Sequence, residues 1–87
     1  MYKIIFAKSA TKNLSKLKSA NLADKTKKLI EIISENPFQN PPPYEKLVGN
    51  MANLYSRRIN VQHRLVYEVL ETDKIIKIVS VWSHYEF

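Results

Sequence analysis

YSRRINVQHRLVYEVL, residues 55–70, decides how this chain folds. Its first part predicts a strand centred on residues 55–59. Its last part, residues 63–70, is dense in β-branched and aromatic residues and predicts a second strand. Val61 and Gln62 mark the turn between them, so the stretch reads as a β-hairpin. A polar ETDK turn follows and launches residues 75–82, another β-branched run, before the chain closes with SHYEF.

Working back toward the N-terminus, YEKLVGNMANL leads into the hairpin through Gly49, the only glycine. Residues 36–44, NPFQNPPPY, hold all four prolines and read as an extended connector, because proline removes amide donors and biases its predecessor away from helix. Ahead of it lie two helical patterns. Ser9 is placed to cap the first, with Ala10, Leu14 and Leu17 on one face. Asn21 is placed to start the second, with Asp24 in its first turn and Leu22, Thr26, Leu29, Ile30 and Ile33 as its apolar stripe. Residues 2–7, with Ile4, Ile5 and Phe6, have the length and composition of a strand. The expected fold is a single α+β domain over residues 1–87: an N-terminal strand, a two-helix hairpin, then an antiparallel three- to four-strand meander with the helices on one sheet face.

Composition narrows the function. With 45% hydrophobic and 25% charged residues the chain is too apolar for disorder, and at 87 residues it has no room for a separate cofactor domain. Cysteine is absent, which excludes disulfides, thiolate metal sites and cysteine nucleophiles. His63 and His84 are the only histidines and lie far apart without carboxylates at ligand spacing, so no metal site is expected. One glycine cannot build a phosphate-cradling loop, and no cofactor is implied. No stretch approaches the length of a membrane span or of a signal-peptide core, and the chain reads as cytoplasmic.

Charge is segregated along the chain. Residues 1–28 carry eight lysines against Asp24 alone, or +7, while the whole chain carries +6, so the remainder sums to −1. A one-signed surface of this kind suits a polyanion, because neutralising phosphates releases condensed counterions; a lysine-rich solvated helix face is the alternative. The chemistry-bearing side chains left over are Glu45, Arg57, Arg58, His63, Arg64, His84 and Tyr85. They contain the parts for phosphodiester cleavage by general acid and general base: a carboxylate to take the proton of a ribose 2′-hydroxyl, an arginine to neutralise the phosphate, and an imidazolium to protonate the departing 5′-oxygen. Strand alternation sends Arg57 and Arg58 to opposite faces, and one of the two is expected to touch RNA. Were Ile59 to pair with Arg64, that residue would be Arg57. His63 is expected beside the turn, away from the site, and Tyr67 and Trp82 in the core.

SRRIN followed by HRLVYEV over residues 56–69, PYEKL around Glu45, and the terminal His84-Tyr85 together resemble the YoeB/Txe branch of the RelE/ParE toxin superfamily, with the likeness covering essentially the whole chain. The resemblance implies a microbial-ribonuclease-like fold and a toxin that cuts messenger RNA on the ribosome and arrests translation. It implies Glu45 as general base, Arg64 as the phosphate-stabilising cation, His84 as general acid and Tyr85 as a residue shaping the site. It also implies a cognate antitoxin as partner, and members of this branch often dimerise. Two features depart from the pattern. Val48 occupies the place of a lysine that commonly follows the glutamate, with Lys46 close by as a substitute for RNA contact, and Glu86 and Phe87 extend the chain past the His-Tyr pair. Two rival readings stand beside it: a ParE-like toxin that binds gyrase without nuclease chemistry, and a basic RNA- or protein-binding module whose polar residues are structural.

Overall fold

The computed structural model describes residues 1–47 and 53–84, with Ser83 and His84 described through their backbone. Strand β1 spans Lys3–Phe6, helix α1 Lys8–Thr11, α2 Leu14–Ser19 and α3 Ala23–Glu35, followed by β2 Tyr44–Lys46, β3 Leu54–Arg58, β4 His63–Leu70 and β5 Ile75–His84. The strands form one sheet in the order β1-β5-β4-β3-β2. β2 to β5 run antiparallel to their neighbours as the expected meander, and β1 returns to pair parallel with β5, from Lys3 opposite Ile75 to Phe6 opposite Ile78. The meander therefore has four strands, the first being the YEK stretch that follows the prolines.

Period-two alternation places Leu65, Tyr67 and Val69 of β4 and Ile76 and Ile78 of β5 in the core, together with Ala10, Leu17, Leu22, Leu29 and Ile33 from the helices. Each of the Leu, Ile and Val side chains among them contributes about 1.5–3 kcal/mol by leaving water. α1 and α2 pack on β5, and α2 packs against α3.

The helical region differs from expectation at three points. Ser9 lies inside α1, and its Oγ donates to the Val79 carbonyl at 2.6 Å, tying helix to sheet instead of capping. The first helical pattern breaks into two short helices at Lys12 and Asn13, which turns Leu14 outward; it is 43% exposed and lines an open apolar groove of about 950 Å³ with Phe6, Leu17 and Ile30. Asn21 ends α2 instead of starting α3. It takes φ 59°, while its N–H reaches the Lys18 carbonyl at 3.2 Å and the Leu22 N–H reaches the Leu17 carbonyl at 2.9 Å. This is a Schellman closure, with a left-handed residue ending the helix and the buried pair Leu17 and Leu22 sealing it.

At the other end of α3, Asn36 before Pro37 is extended, with φ −152° and ψ 104°, as the residue preceding a proline should be. Its Oδ1 accepts from the Phe38 N–H at 3.0 Å and starts the connector. The hairpin turn is shaped by Asn60, whose Oδ1 accepts from the N–H groups of Gln62 at 2.9 Å and His63 at 2.7 Å.

Candidate active site

The register brings four polar residues onto the sheet face away from the core. Glu45 on β2 lies opposite Ser56 on β3, and Arg58 at the end of β3 lies opposite Arg64 on β4. Facing residues on antiparallel strands point to the same side, and alternate residues along a strand do too, so Glu45, Ser56, Arg58 and Arg64 share one surface. Arg64 Nη2 stands 3.5 Å from Glu45 Oε1, and Arg64 Nη1 donates to Ser56 Oγ at 3.2 Å. The arginine side chain is 8% exposed and the glutamate side chain 55%. The cation is thus sunk into the sheet and held from below, while the carboxylate faces solvent. A cleft of about 210 Å³ opens over them, lined by Pro43, Tyr44, Glu45, Arg58 and Arg64.

Beside Arg64 the ladder between β4 and β5 slips twice, between Arg64 and Val66 and between Val66 and Tyr67. Irregularities of this kind re-aim side chains and are common next to functional sites. The slips leave Ser83 opposite Arg64 and His84 opposite His63, so the backbone of His84 reaches the strand neighbouring Arg64, one residue along. Tyr85, Val48, Glu86 and Phe87 lie outside the described residues, and so does the His84 side chain.

One of the expected RNA contacts requires correction, and a second lies outside the cleft. Arg58 pairs with Arg64, which places Arg58 on the site face and Arg57 on the core face opposite Leu65. Arg57 is fully buried and cannot reach an external strand of RNA. Its Nε donates to Tyr67 Oη at 3.1 Å, its Nη1 to the Pro42 carbonyl, and its Nη2 to the carbonyls of Pro37 at 3.0 Å and Gln39 at 2.8 Å. Lys46 lies opposite Tyr55, on the reverse face of β2 from Glu45, so alternation keeps it out of the cleft that Glu45 lines.

Of the aromatic expectations, the core placement of Tyr67 holds, Trp82 is only partly buried against the core, and His63 lies opposite His84 in the β4–β5 ladder instead of away from the candidate site. Tyr67 is fully buried, and His63 is buried beside the turn with its ring stacked on Trp82 at 3.8 Å between centroids. Ser56 is the residue that sequence reasoning overlooked. Its signal was the period of two in SRR, which puts Ser56 on the face of Arg58.

A family profile described as the YoeB-like toxin of bacterial type II toxin–antitoxin systems matches residues 6–85. The chain belongs to the YoeB toxin family. The toxin YoeB of Synechocystis sp. is 40% identical over 58 residues, which cover 67% of this chain and 65% of that one, just under two thirds of the relative's own length. Among solved structures, the YoeB dimer of Staphylococcus aureus superposes with a TM-score of 0.82 at 34% identity, covering 97% of this chain and 98% of that chain. The YoeB–YefM complex from the same organism gives 0.79 at 34% identity, covering 98% and 99%. The α+β architecture described above is that of these YoeB toxins.

Proposed function

We propose that this YoeB-family toxin is a cytoplasmic, ribosome-dependent messenger RNA endoribonuclease that works by acid–base catalysis, with no cofactor assigned to the reaction. The observation that carries the reading is the apposition of the solvent-facing Glu45 carboxylate and the sheet-embedded Arg64 guanidinium at the floor of one open cleft.

Glu45 takes the proton of the ribose 2′-hydroxyl as that oxygen bonds to phosphorus. Arg64, prepositioned by Ser56, neutralises the charge that gathers on the phosphate, with Arg58 on the rim as a second cation. His84 protonates the 5′-oxygen as its bond to phosphorus breaks, and Tyr85 shapes the site. The product is a 2′,3′-cyclic phosphate and a free 5′-hydroxyl. A guanidinium already desolvated by the sheet acts in a low-dielectric setting, where its attraction for the phosphate exceeds what it would be in water.

The exposed lysines of residues 1–28 supply sequence-independent contacts to ribosomal RNA. The partners proposed are a cognate antitoxin, as in the YoeB–YefM complex, and a second copy of the chain, as in the YoeB dimer. Among the described residues, no helix is long and apolar enough to cross a membrane.

The test adds purified protein to programmed ribosomes carrying a defined messenger and maps new 5′ ends by primer extension. A cut in the decoding site is expected. It should weaken about 10²- to 10⁴-fold in Glu45→Ala and His84→Ala, each of which loses a positioned proton-transfer group. A loss of about 10²- to 10³-fold is expected for Arg64→Ala, comparable to removing one oxyanion donor. Absence of any cut while translation still stops would replace this reading with a toxin that acts by binding.

A further inference from the structure

Glu45 sits on a strand of three residues at the edge of the sheet. So short an edge strand is marginal by itself, and its placement depends on what holds the chain on either side. On the N-terminal side lies the connector of residues 36–43, whose four prolines offer no amide donors to any ladder. Most of its residues are exposed, but the carbonyls of Pro37, Gln39 and Pro42 turn toward the sheet, where they need donors.

One side chain supplies them. The planar fork of Arg57 spreads its bonds over the carbonyls of Pro37, Gln39 and Pro42 and over the Tyr67 hydroxyl. Tyr67 Oη in turn donates to the same Pro37 carbonyl at 2.8 Å, filling its second lone pair. The Arg57 guanidinium carbon also lies 5.0 Å from the ring centroid of Tyr44, the residue directly before Glu45. Tyr44 is wedged against Phe38 at 6.1 Å and Tyr55 at 5.9 Å between ring centroids. Arg57 thus bonds the connector at three points and touches the first residue of β2.

We propose that Arg57 is a positioning residue for Glu45. From inside the sheet it fixes the proline connector, and so fixes where β2 delivers the carboxylate relative to Arg64 on the other face. The assignment rests on the nuclease reading for its catalytic consequence, and on the hydrogen-bond network for its structural one. Adjacent arginines then divide the work: Arg58 faces the cleft, and Arg57 holds the wall that carries the base. Lysine cannot replace Arg57, because a single ammonium cannot span acceptors that the guanidinium reaches with three separate nitrogens.

The experiment compares Arg57→Lys and Tyr67→Phe with the parent protein by amide hydrogen exchange and by single-turnover cleavage on programmed ribosomes at saturating toxin. Each variant is also combined with Glu45→Ala. Exchange at residues 44–47 is expected to quicken about 10-fold or more in Arg57→Lys, with α3, β4 and β5 unchanged. Its cleavage rate is expected to fall by about 10- to 100-fold, the cost of a small misplacement of a catalytic group. In the Glu45→Ala background the same substitution should cause no further loss.

Unchanged exchange at residues 44–47, faster exchange in every element, or a rate loss that multiplies with that of Glu45→Ala would each overturn the proposal. Should Arg57→Lys fail to fold, Tyr67→Phe removes one donor to Pro37 and one acceptor of Arg57 while keeping the ring, and carries the same comparison. Full cleavage by Glu45→Ala would overturn the role of Glu45 instead, and the exchange comparison would still decide whether Arg57 holds the connector.

Discussion

Tyr67 carries its phenol into the protein interior, where burial pushes its pKa above the ordinary 10.0 against the opposing hydrogen bond and charge of Arg57. The folded state therefore holds this proton more tightly than the unfolded chain does. The stability this contributes is fully present below pH 10 and is lost as pH rises from there through the folded-state pKa. Thermal midpoints measured across pH 9 to 12 should fall more steeply for the parent than for Tyr67→Phe, which has no phenol to ionise. Parallel curves would show that the hydroxyl titrates alike in both states. The neighbouring site illustrates a second residue-scale point. Glu45 and Arg64 are legible in PYEKL and HRLVY through the family resemblance, and alternation in SRR puts Ser56 on the face of Arg58, but the bond of Ser56 to Arg64 becomes visible only when β3 and β4 are laid side by side.

Among the elements, the helices show most clearly how local signals are overruled by packing. Ser9 and Asn21 both read as helix starts because their short polar side chains favour that position. In the folded chain Ser9 Oγ bonds β5, and Asn21 enters the left-handed region to turn α2 into α3. Asparagine tolerates that conformation and glycine adopts it freely, whereas a residue with an ordinary Cβ meets a steric cost of about 1–2 kcal/mol. Asn21→Gly should leave the denaturation midpoint near its parent value, and Asn21→Val should lower stability by about 1–2 kcal/mol, both read from urea unfolding. Equal stability of the two variants would mean that the Leu17–Leu22 contact alone closes the helix.

At the scale of the whole molecule, charge and chemistry occupy different parts of the chain. The lysines of residues 1–28 are all exposed, on β1 and around the helices, while the cleft is built from the end of the proline connector with β2, β3 and β4. Neutralising Lys8, Lys12 and Lys16 together should weaken ribosome binding and lower the slope of log affinity against log salt by about 2–3, since each phosphate contact contributes close to one. Cleavage at saturating ribosome concentration should stay at the parent rate. A defect persisting at saturation would place those lysines in the chemical step.

The strand–helix–meander order, the hairpin of residues 55–70 and the proline connector were legible in the sequence alone, because periodicity and turn residues are local properties, whereas Glu45, Arg64 and His84 were singled out from seven polar candidates by the family resemblance of PYEKL, HRLVY and the terminal His-Tyr. Alternation also dictated that Arg57 and Arg58 face opposite ways. Which of them meets the site was decided only by the tertiary structure, because a shift of one residue in strand register exchanges every side chain between the two faces. The Asn60 side chain, bonded to the Gln62 and His63 amides, shapes a turn that sets Arg58 against Arg64. The same register leaves Arg57 inside, where the carbonyls of a proline-rich segment distant in sequence supply the partners a buried guanidinium requires.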